Sequence, residues 1–290
     1  MFTDLHIHTK YSDGKLSVKD TIDIAFKRNI KMISITDHDS ISGVKEAIDY
    51  SKTLNINCIS GIELSCRNDN SVLDFPRDIS IHLLAYNIDY NCIELIKHLQ
   101  KYHETRKNII IDLINKLIEN DFDIKYDDIH IIAGKQMRVQ DVINHINSCL
   151  LCKEKKEKYI SIALSYYEKL FYQDNSLEFA IRLIKRSGGL AVLAHAFFSY
   201  RDYDIELNSY QDILHLLDYL CDIGIDGIEA FYPKYTIEQS EFLQKEAKRR
   251  NKFITAGSDF HGTPQRKQMI DYNIESINET TNIFNKINRY

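Results

Sequence analysis

The chain predicts an α/β fold of successive strand–helix units, interrupted by a long helical stretch. Three observations carry this. Short β-branched runs alternate with helical stripes over residues 1–90 and again over 188–260. The 91–180 segment between them is helical in pattern almost throughout. Residue types that bind metals recur at the predicted strand ends.

The first strand is the apolar segment Asp4-Leu5-His6-Ile7-His8. Two histidines two apart on a strand point the same way, with Cβ atoms roughly 7 Å apart. Asp13 follows in a Ser-Asp-Gly turn, where a carboxylate can curl back toward the strand end. Alone, the pair suits an ordinary half-buried strand, so the rest of the chain must decide. A helix is expected over 17–29 with Ser17 as N-cap, then a strand over 31–36 ending in Asp37-His38-Asp39. Ser40 or Ser42 is expected to cap the next helix, with Asp37 and Asp39 as further capping candidates. Strands follow over 57–64, including Glu63, and over 78–86, including His82.

After the helical insertion the alternation resumes. A strand over 188–195 ends in His195, and one over 227–231 contains Glu229, which can support a ligand or pair with a basic residue. A strand over 252–259 ends in Asp259, followed by His261, and the last ~20 residues are expected to form a closing helix. The intervening segments, 207–221 and 237–250, read as helices.

Composition narrows the function classes. The chain has 290 residues, 44% hydrophobic and 27% charged, ordinary for a globular protein with a sizeable core. A net charge of −5 supplies no global basic field, against bulk coating of duplex DNA. No apolar run approaches the ~20 residues of a membrane span and no leader is recognisable, so a cytoplasmic protein is expected. Six cysteines are scattered, and the lone Cys149-x-x-Cys152 pair reads as packing.

His6, His8, His38, Glu63, His82, His195, Asp259 and His261 each lie on or just past a predicted strand. In a parallel barrel all such ends meet on one face, where active sites sit. Any one of them is unconvincing; together they point to a metal site. The other histidines, at 98, 103, 130, 145 and 215, fall in helical or loop segments and read as ordinary residues.

The motifs Asp4-Leu-His6-Ile-His8…Ser12-Asp13-Gly14, Ile35-Thr36-Asp37-His38-Asp39, Gly61-Ile-Glu63, His82, Gly188-Gly-Leu-Ala-Val-Leu-Ala-His195 and Gly257-Ser-Asp259-Phe-His261-Gly262 resemble the PHP (polymerase and histidinol phosphatase) superfamily of metal-dependent phosphoesterases. They span both ends of the chain, about two-thirds of it. The resemblance implies a distorted (βα)7 TIM-like barrel over 1–90 and 181–290, with 91–180 as a helical insertion serving as substrate lid. It also implies three divalent ions, of Mn²⁺, Fe²⁺ or Zn²⁺, at the strand ends. By motif, His6, His8, Glu63 and Asp259 would hold the first; Glu63, His82 and His195 the second; Asp13, His38 and His261 the third. Mixed imidazole and carboxylate ligands suit all these metals. Three ions against three carboxylates would leave about +3 locally, attracting a phosphate dianion.

The chemistry so implied is attack on phosphorus by a metal-activated water, with Glu63 bridging ions and His195 or Asp37 as candidate acids. The insertion resembles that of the nucleoside 3′,5′-bisphosphate phosphatase and short-oligonucleotide exonuclease group, with Arg106, Lys135 and Arg138 as candidate contacts to a second phosphate. It departs from the group's Gly-Arg-Pro-His-Ile-Ala-Arg pattern, reading Gly134-Lys-Gln-Met-Arg138-Val-Gln140. His195-Ala196 and Pro233-Lys234-Tyr235-Thr236 depart as well. Tyr232, Phe197 and Phe198 are candidates to stack a base. The alternatives are a phosphatase for another small monoester such as histidinol phosphate, and a non-catalytic metal-stabilised binding module.

Overall fold

Strands form where β-branched and aliphatic residues can be buried on both faces, as in Met32–Ile35, whose four residues are all buried. The computed structural model describes residues 2–67, 80–129, 137–199, 205–206, 209–263, 269 and 272–273. In order they form β1 (Phe2–Ile7), α1 (Val18–Lys27), β2 (Met32–Ile35), α2 (Val44–Thr53), β3 (Asn57–Arg67), β4 (Ser80–Tyr86), α3 (Ile93–Ile118), α4 (Val139–Ser148), α5 (Lys153–Phe171), β5 (Asn175–Ser176) and α6 (Leu177–Arg186). Then come β6 (Leu190–Leu193), β7 (Phe198–Ser199), β8 (Ile205–Glu206), α7 (Tyr210–Asp222), β9 (Gly227–Phe231), α8 (Ile237–Arg249), β10 (Phe253–Ala256) and β11 (Tyr272–Asn273). The expected closing helix lies outside the described residues.

The chain divides into two compact units, Met1–Ile96 with Asn175–Tyr290, and Lys97–Asp174. The first holds a sheet in the order β10-β9-β6-β4-β3-β2-β1, with β11 beside β1 and β5 beside β3. It nearly closes on itself: beyond β10, Phe260 bridges Ile7, and the His8 N–H donates to the Phe260 carbonyl at 2.8 Å. The result is the expected mixed α/β barrel. Two strands depart from the parallel rhythm: β4 runs antiparallel to both β3 and β6, and β11 pairs antiparallel with β1. An antiparallel neighbour needs no crossover helix.

Side-chain placement follows from this sheet. The β1–β2 pairing shifts register between Asp4 and Ile7. Such a shift re-aims side chains. Leu5 packs among Met32, Ile59, Leu84, Tyr86, Val192 and Ala194. Ile7 instead joins Ile22, Ala25 and Ala47 from the surrounding helices. His6 and His8, flanking Ile7, therefore share the opposite face. The Tyr86 hydroxyl donates to the Leu5 carbonyl at 3.0 Å beneath them.

Ser17 caps α1 as expected, accepting from the Asp20 N–H. Neither Ser40 nor Ser42 caps α2, whose N-cap is Gly43 without a side-chain bond. The separate unit Lys97–Asp174 has its own core, including Leu113, Leu117, Phe122, Val142, Ile146 and Tyr159.

Gly257, just past β10, is fixed by close approach. A Cβ there would stand 2.2 Å from the His6 Cβ and 2.6 Å from Glu229 Oε1. Gly257→Ala should therefore cost at least about 1–3 kcal/mol, measured as a lowered urea midpoint; an unchanged midpoint would show that the rim has room to spare.

Candidate metal centre

The ends of β1, β2, β6 and β10 share one rim of the barrel, where β3 passes with Glu63 four residues before its own end and the antiparallel β4 brings its N-terminal half. His82, third in β4, stands opposite Ser65 in β3. Of the nine side chains expected to bind ions, seven are buried; Asp13 and His38, with side chains 14% and 22% exposed, are the solvent-accessible members.

Three groups bring ligand atoms within 4.8 Å of one another: His6, His8, Glu63 and Asp259; His8, Asp13, His38 and His261; and His38, Glu63 and His82. Glu63 joins them. Its Oε2 stands 3.1 Å from His6 Nε2, 3.0 Å from His8 Nε2 and 3.3 Å from His38 Nδ1. Its Oε1 is 3.0 Å from both His82 Nδ1 and His195 Nε2. Thus the expected second set, Glu63, His82 and His195, meets on one carboxylate oxygen, with His38 close by.

The outer ring nitrogens are held as well. His6 Nδ1 lies 3.0 Å from Glu229 Oε1, His195 Nδ1 3.2 Å from the Phe198 carbonyl, and His261 Nδ1 2.7 Å from the Asp259 carbonyl. The Ser12 hydroxyl donates to Asp37, leaving a lone pair toward His8 Nδ1 at 3.4 Å. Each partner takes an Nδ1 proton and turns an Nε2 lone pair inward, the arrangement that orients metal-bound imidazoles. Two such lone pairs, on His6 and His8, then face each other at 3.1 Å. His38 Nδ1 is buried without a hydrogen-bond partner in the described structure. Lone pairs converging on a carboxylate repel unless a cation lies among them, so the donor set fits divalent ions.

Without ions, protons take up that role. Burial disfavours a charged His6, but Glu63, Glu229 and Asp259 outweigh it and raise its pKa well above the usual range. His8 is raised to about 9 against the same burial by Asp259 and Glu63. His38 and His195 go the other way, lowered chiefly by burial. Glu63 is pulled well below its ordinary value: burial opposes this, and the cluster of imidazoles around it overcomes it.

A layer of carboxylates supports the rim, and the residue pattern gave it little voice. Asp4 accepts from the Ser258 N–H, the Ser258 hydroxyl and the His6 N–H, tying β1 to the Asp259 turn. Its burial raises its pKa to about 7. Glu229 accepts from the His195 N–H at 2.9 Å through Oε2, so one side chain serves two histidines. Asp37 accepts from Thr9 N–H, Thr9 Oγ1 and Ser12 Oγ. Asp39 accepts from the Ser65 N–H and hydroxyl. Neither caps α2.

Both Asp37 oxygens accept from Thr9 and Ser12, so it braces the turn beneath His8, and burial raises its pKa above the ordinary carboxylate value. His195 has Nδ1 on a carbonyl and Nε2 on Glu63, which suits a ligand better than an acid. His195, Asp259 and Asp39 all have left-handed backbones, with φ of 26°, 52° and 49°. Strained residues of this kind cluster where surrounding structure over-determines a site.

The expected second-phosphate contacts fare differently. The Arg106 guanidinium is engaged by Asp174 at 2.8 Å and Tyr102 at 2.9 Å, so it serves its own helical unit. Arg138 precedes α4 with Nε 3.7 Å from Asp141, and Lys135 lies outside the described residues. Phe197 is 2% exposed and packs on Tyr210, Tyr235 and Phe242, so it is core.

The barrel and its histidine–carboxylate rim define the class: a metal-dependent phosphoesterase, a hydrolase using divalent metal. A family model described as the PHP domain matches residues 4–209, and the chain belongs to that family. It is 26% identical over 279 residues to the phosphoribosyl 1,2-cyclic phosphate 1,2-diphosphodiesterase of Eggerthella lenta, covering 90% of this chain and 95% of that protein. It is 26% identical over 267 residues to the 3′,5′-nucleoside bisphosphate phosphatase of Chromobacterium violaceum (89% and 86% covered). With the 5′-3′ exoribonuclease of Haemophilus influenzae it shares 24% over 261 residues, covering 89% of each. A solved structure described as a metal-dependent phosphoesterase, from Bifidobacterium adolescentis, has the same fold, with a TM-score of 0.70 at 24% identity over 90% of this chain and 89% of that one. Among the described residues no helix is long and apolar enough to cross a membrane.

Because His6 and His8 hold protons in the ion-free protein, metal must displace them. Loading the apoprotein should release protons, and affinity should rise with pH through the neutral range, since His6 and His8 are both raised above their ordinary value. Calorimetry in buffers of different ionisation enthalpy measures this directly; binding heats independent of buffer would contradict it.

Proposed function

We propose that this chain hydrolyses a phosphate monoester, or the terminal phosphodiester, of a small nucleotide such as a nucleoside 3′,5′-bisphosphate or of a short oligonucleotide, at a centre of three divalent ions. The observation that carries the reading is the convergence of all nine expected ligands in overlapping groups around Glu63. The first ion falls to His6, His8, Glu63 and Asp259. The second falls to Glu63, His82 and His195, and the third to Asp13, His38 and His261. Mixed nitrogen and oxygen donors suit Mn²⁺, Fe²⁺ or Zn²⁺.

Bound there, the ions supply an activated water and positive charge for the phosphoryl oxygens. The chain's own residues prepare the site for them. Glu229, Ser12 and the Phe198 carbonyl hold the outer nitrogens of His6, His8 and His195, fixing which lone pairs turn inward. Burial of those three rings keeps bulk water from their inner nitrogens. Asp13 and His38 form the solvent-accessible side, the approach open to an anionic substrate.

The substrate class is supported by the three relatives, whose names share a phosphate ester on a ribose unit. With Arg106 committed to Asp174, Arg138 and Lys135 remain as candidates for a second phosphate, on the helical unit read as a substrate lid.

The test is a phosphate-release screen with Mn²⁺ over 3′,5′-bisphosphonucleotides, mononucleotides, short RNA and DNA, phosphorylated cyclic esters of ribose and histidinol phosphate. His6→Ala and His8→Ala should each lower turnover at least about 100-fold with the fold retained, since losing even an orienting partner costs up to that much. Full activity in either variant at unchanged metal content would refute the centre. Arg138→Ala should reduce bisphosphate turnover far more than that of an aryl phosphate; an equal loss on both would remove the second-phosphate site.

A further inference from the structure

Tyr232 follows the last residue of β9. That strand pairs in parallel with β10, with Phe231 opposite Ala256 and the Gly257 N–H donating to the Phe231 carbonyl. The pairing sets Tyr232 beside the turn that carries Asp259. Its hydroxyl donates to Asp259 Oδ2 at 3.0 Å. The other oxygen, Oδ1, faces the histidines: 3.2 Å from His8 Nε2, 3.5 Å from His6 Nε2 and 3.4 Å from His261 Nδ1. The two oxygens of one carboxylate thus have different tasks.

We propose that Tyr232 is a positioning residue that holds Asp259 in single-oxygen geometry, so that Oδ1 alone is offered to the ion shared with His6, His8 and Glu63. The inference rests on reading that group as an ion site. The Asp259 backbone is left-handed at φ 52°, a conformation Asp adopts readily, so which oxygen turns inward is set by the side chain's own contacts. A hydroxyl on Oδ2 stops the carboxylate from turning to present both oxygens, and a charge-assisted bond of this kind is about twice as strong as a neutral one.

The phenol is itself held. Its ring packs against His195 at 5.6 Å, Phe198 at 5.7 Å and Tyr235 at 5.2 Å between centroids. Tyr232 is 5% exposed, which leaves no face free for a base. That separates it from the stacking role the sequence allowed. The hydroxyl, not the ring, is the working part, and Phe in its place keeps the packing while releasing Oδ2.

The decisive measurement is ion binding without substrate. Chelator-stripped wild type, Tyr232→Phe and Tyr232→Leu are titrated with Zn²⁺ and Mn²⁺ against a chromophoric chelator, with far-UV circular dichroism and melting curves to confirm the fold. Tyr232→Phe should bind the ion about tenfold or more weakly, with its melting curve in the ion-free state close to that of wild type. In turnover, kcat should fall at limiting metal and recover with excess metal, with KM little changed. Wild-type affinity in Tyr232→Phe overturns the inference. So does a raised KM in Tyr232→Leu alone, which would return Tyr232 to stacking. Were wild type to bind no ion, both this inference and the proposed centre would fall; if it binds and the Phe variant binds equally, the proposed function stands and the positioning role does not.

Discussion

The carboxylate of Glu63 is the constraint on which the rest of the barrel rim depends. It is fully buried, and five imidazoles stand within 3.3 Å of its two oxygens. An isolated buried carboxylate is costly, and the cost is offset only by positive charge and hydrogen bonds placed around it. Strands β1 and β4, with the segments just after β1, β2 and β6, supply the imidazoles of that offset. Because the positive partner can be protons on His6 and His8 or divalent ions, the folded state and the ion-binding state are linked. A ligand that binds the native state but not the unfolded one stabilises it by mass action.

Around this centre lies a second set of carboxylates that touch no inward lone pair. Asp4, Asp37, Asp39 and Glu229 accept from backbone N–H groups and hydroxyls on neighbouring rim segments. Asp4 joins β1 to the segment after β10, and Glu229 joins β9 to His6 on one side and His195 on the other. Left-handed backbones at His195, Asp259 and Asp39 sit among these bonds. Strain of about 1–3 kcal/mol per residue persists only where such a network over-determines the conformation. Rigidity here serves specificity of geometry, at the cost of several buried charges.

Much of the fold and of the inner site was legible because it depends on residue type and period. His-x-His on a strand, Asp-His-Asp after one, and the ligands at 63, 195, 259 and 261 could all be assigned to strand ends before any coordinates. The supporting layer was less legible. Nothing in the pattern tells Asp37 in a turn from a helix cap or a general acid, because the same carboxylate can accept from any nearby donor. Tyr232 read as a ring, whereas its contribution is a hydroxyl aimed across two strands. Arg106 read as a candidate phosphate contact because its partner, Asp174, lies 68 positions along the chain. These are tertiary facts with no periodic signature.

Strand direction is the most consequential of them. The alternation in Ser80–Tyr86 is the same whichever way the strand runs, so a βα rhythm suggested a parallel neighbour. The observed strand is antiparallel. His82 is the third residue of seven, four before the end. In a parallel strand ending at the rim it would stand about 13 Å below it, at about 3.3 Å per residue. Reversal brings the start of β4 to the rim instead, and His82 to within 3.0 Å of Glu63. Distance from a strand's end does not give its direction, since Glu63 also lies four residues before the end of β3, which pairs in parallel with β2; what brings His82 to Glu63 is the antiparallel register that sets it opposite Ser65, two residues beyond Glu63.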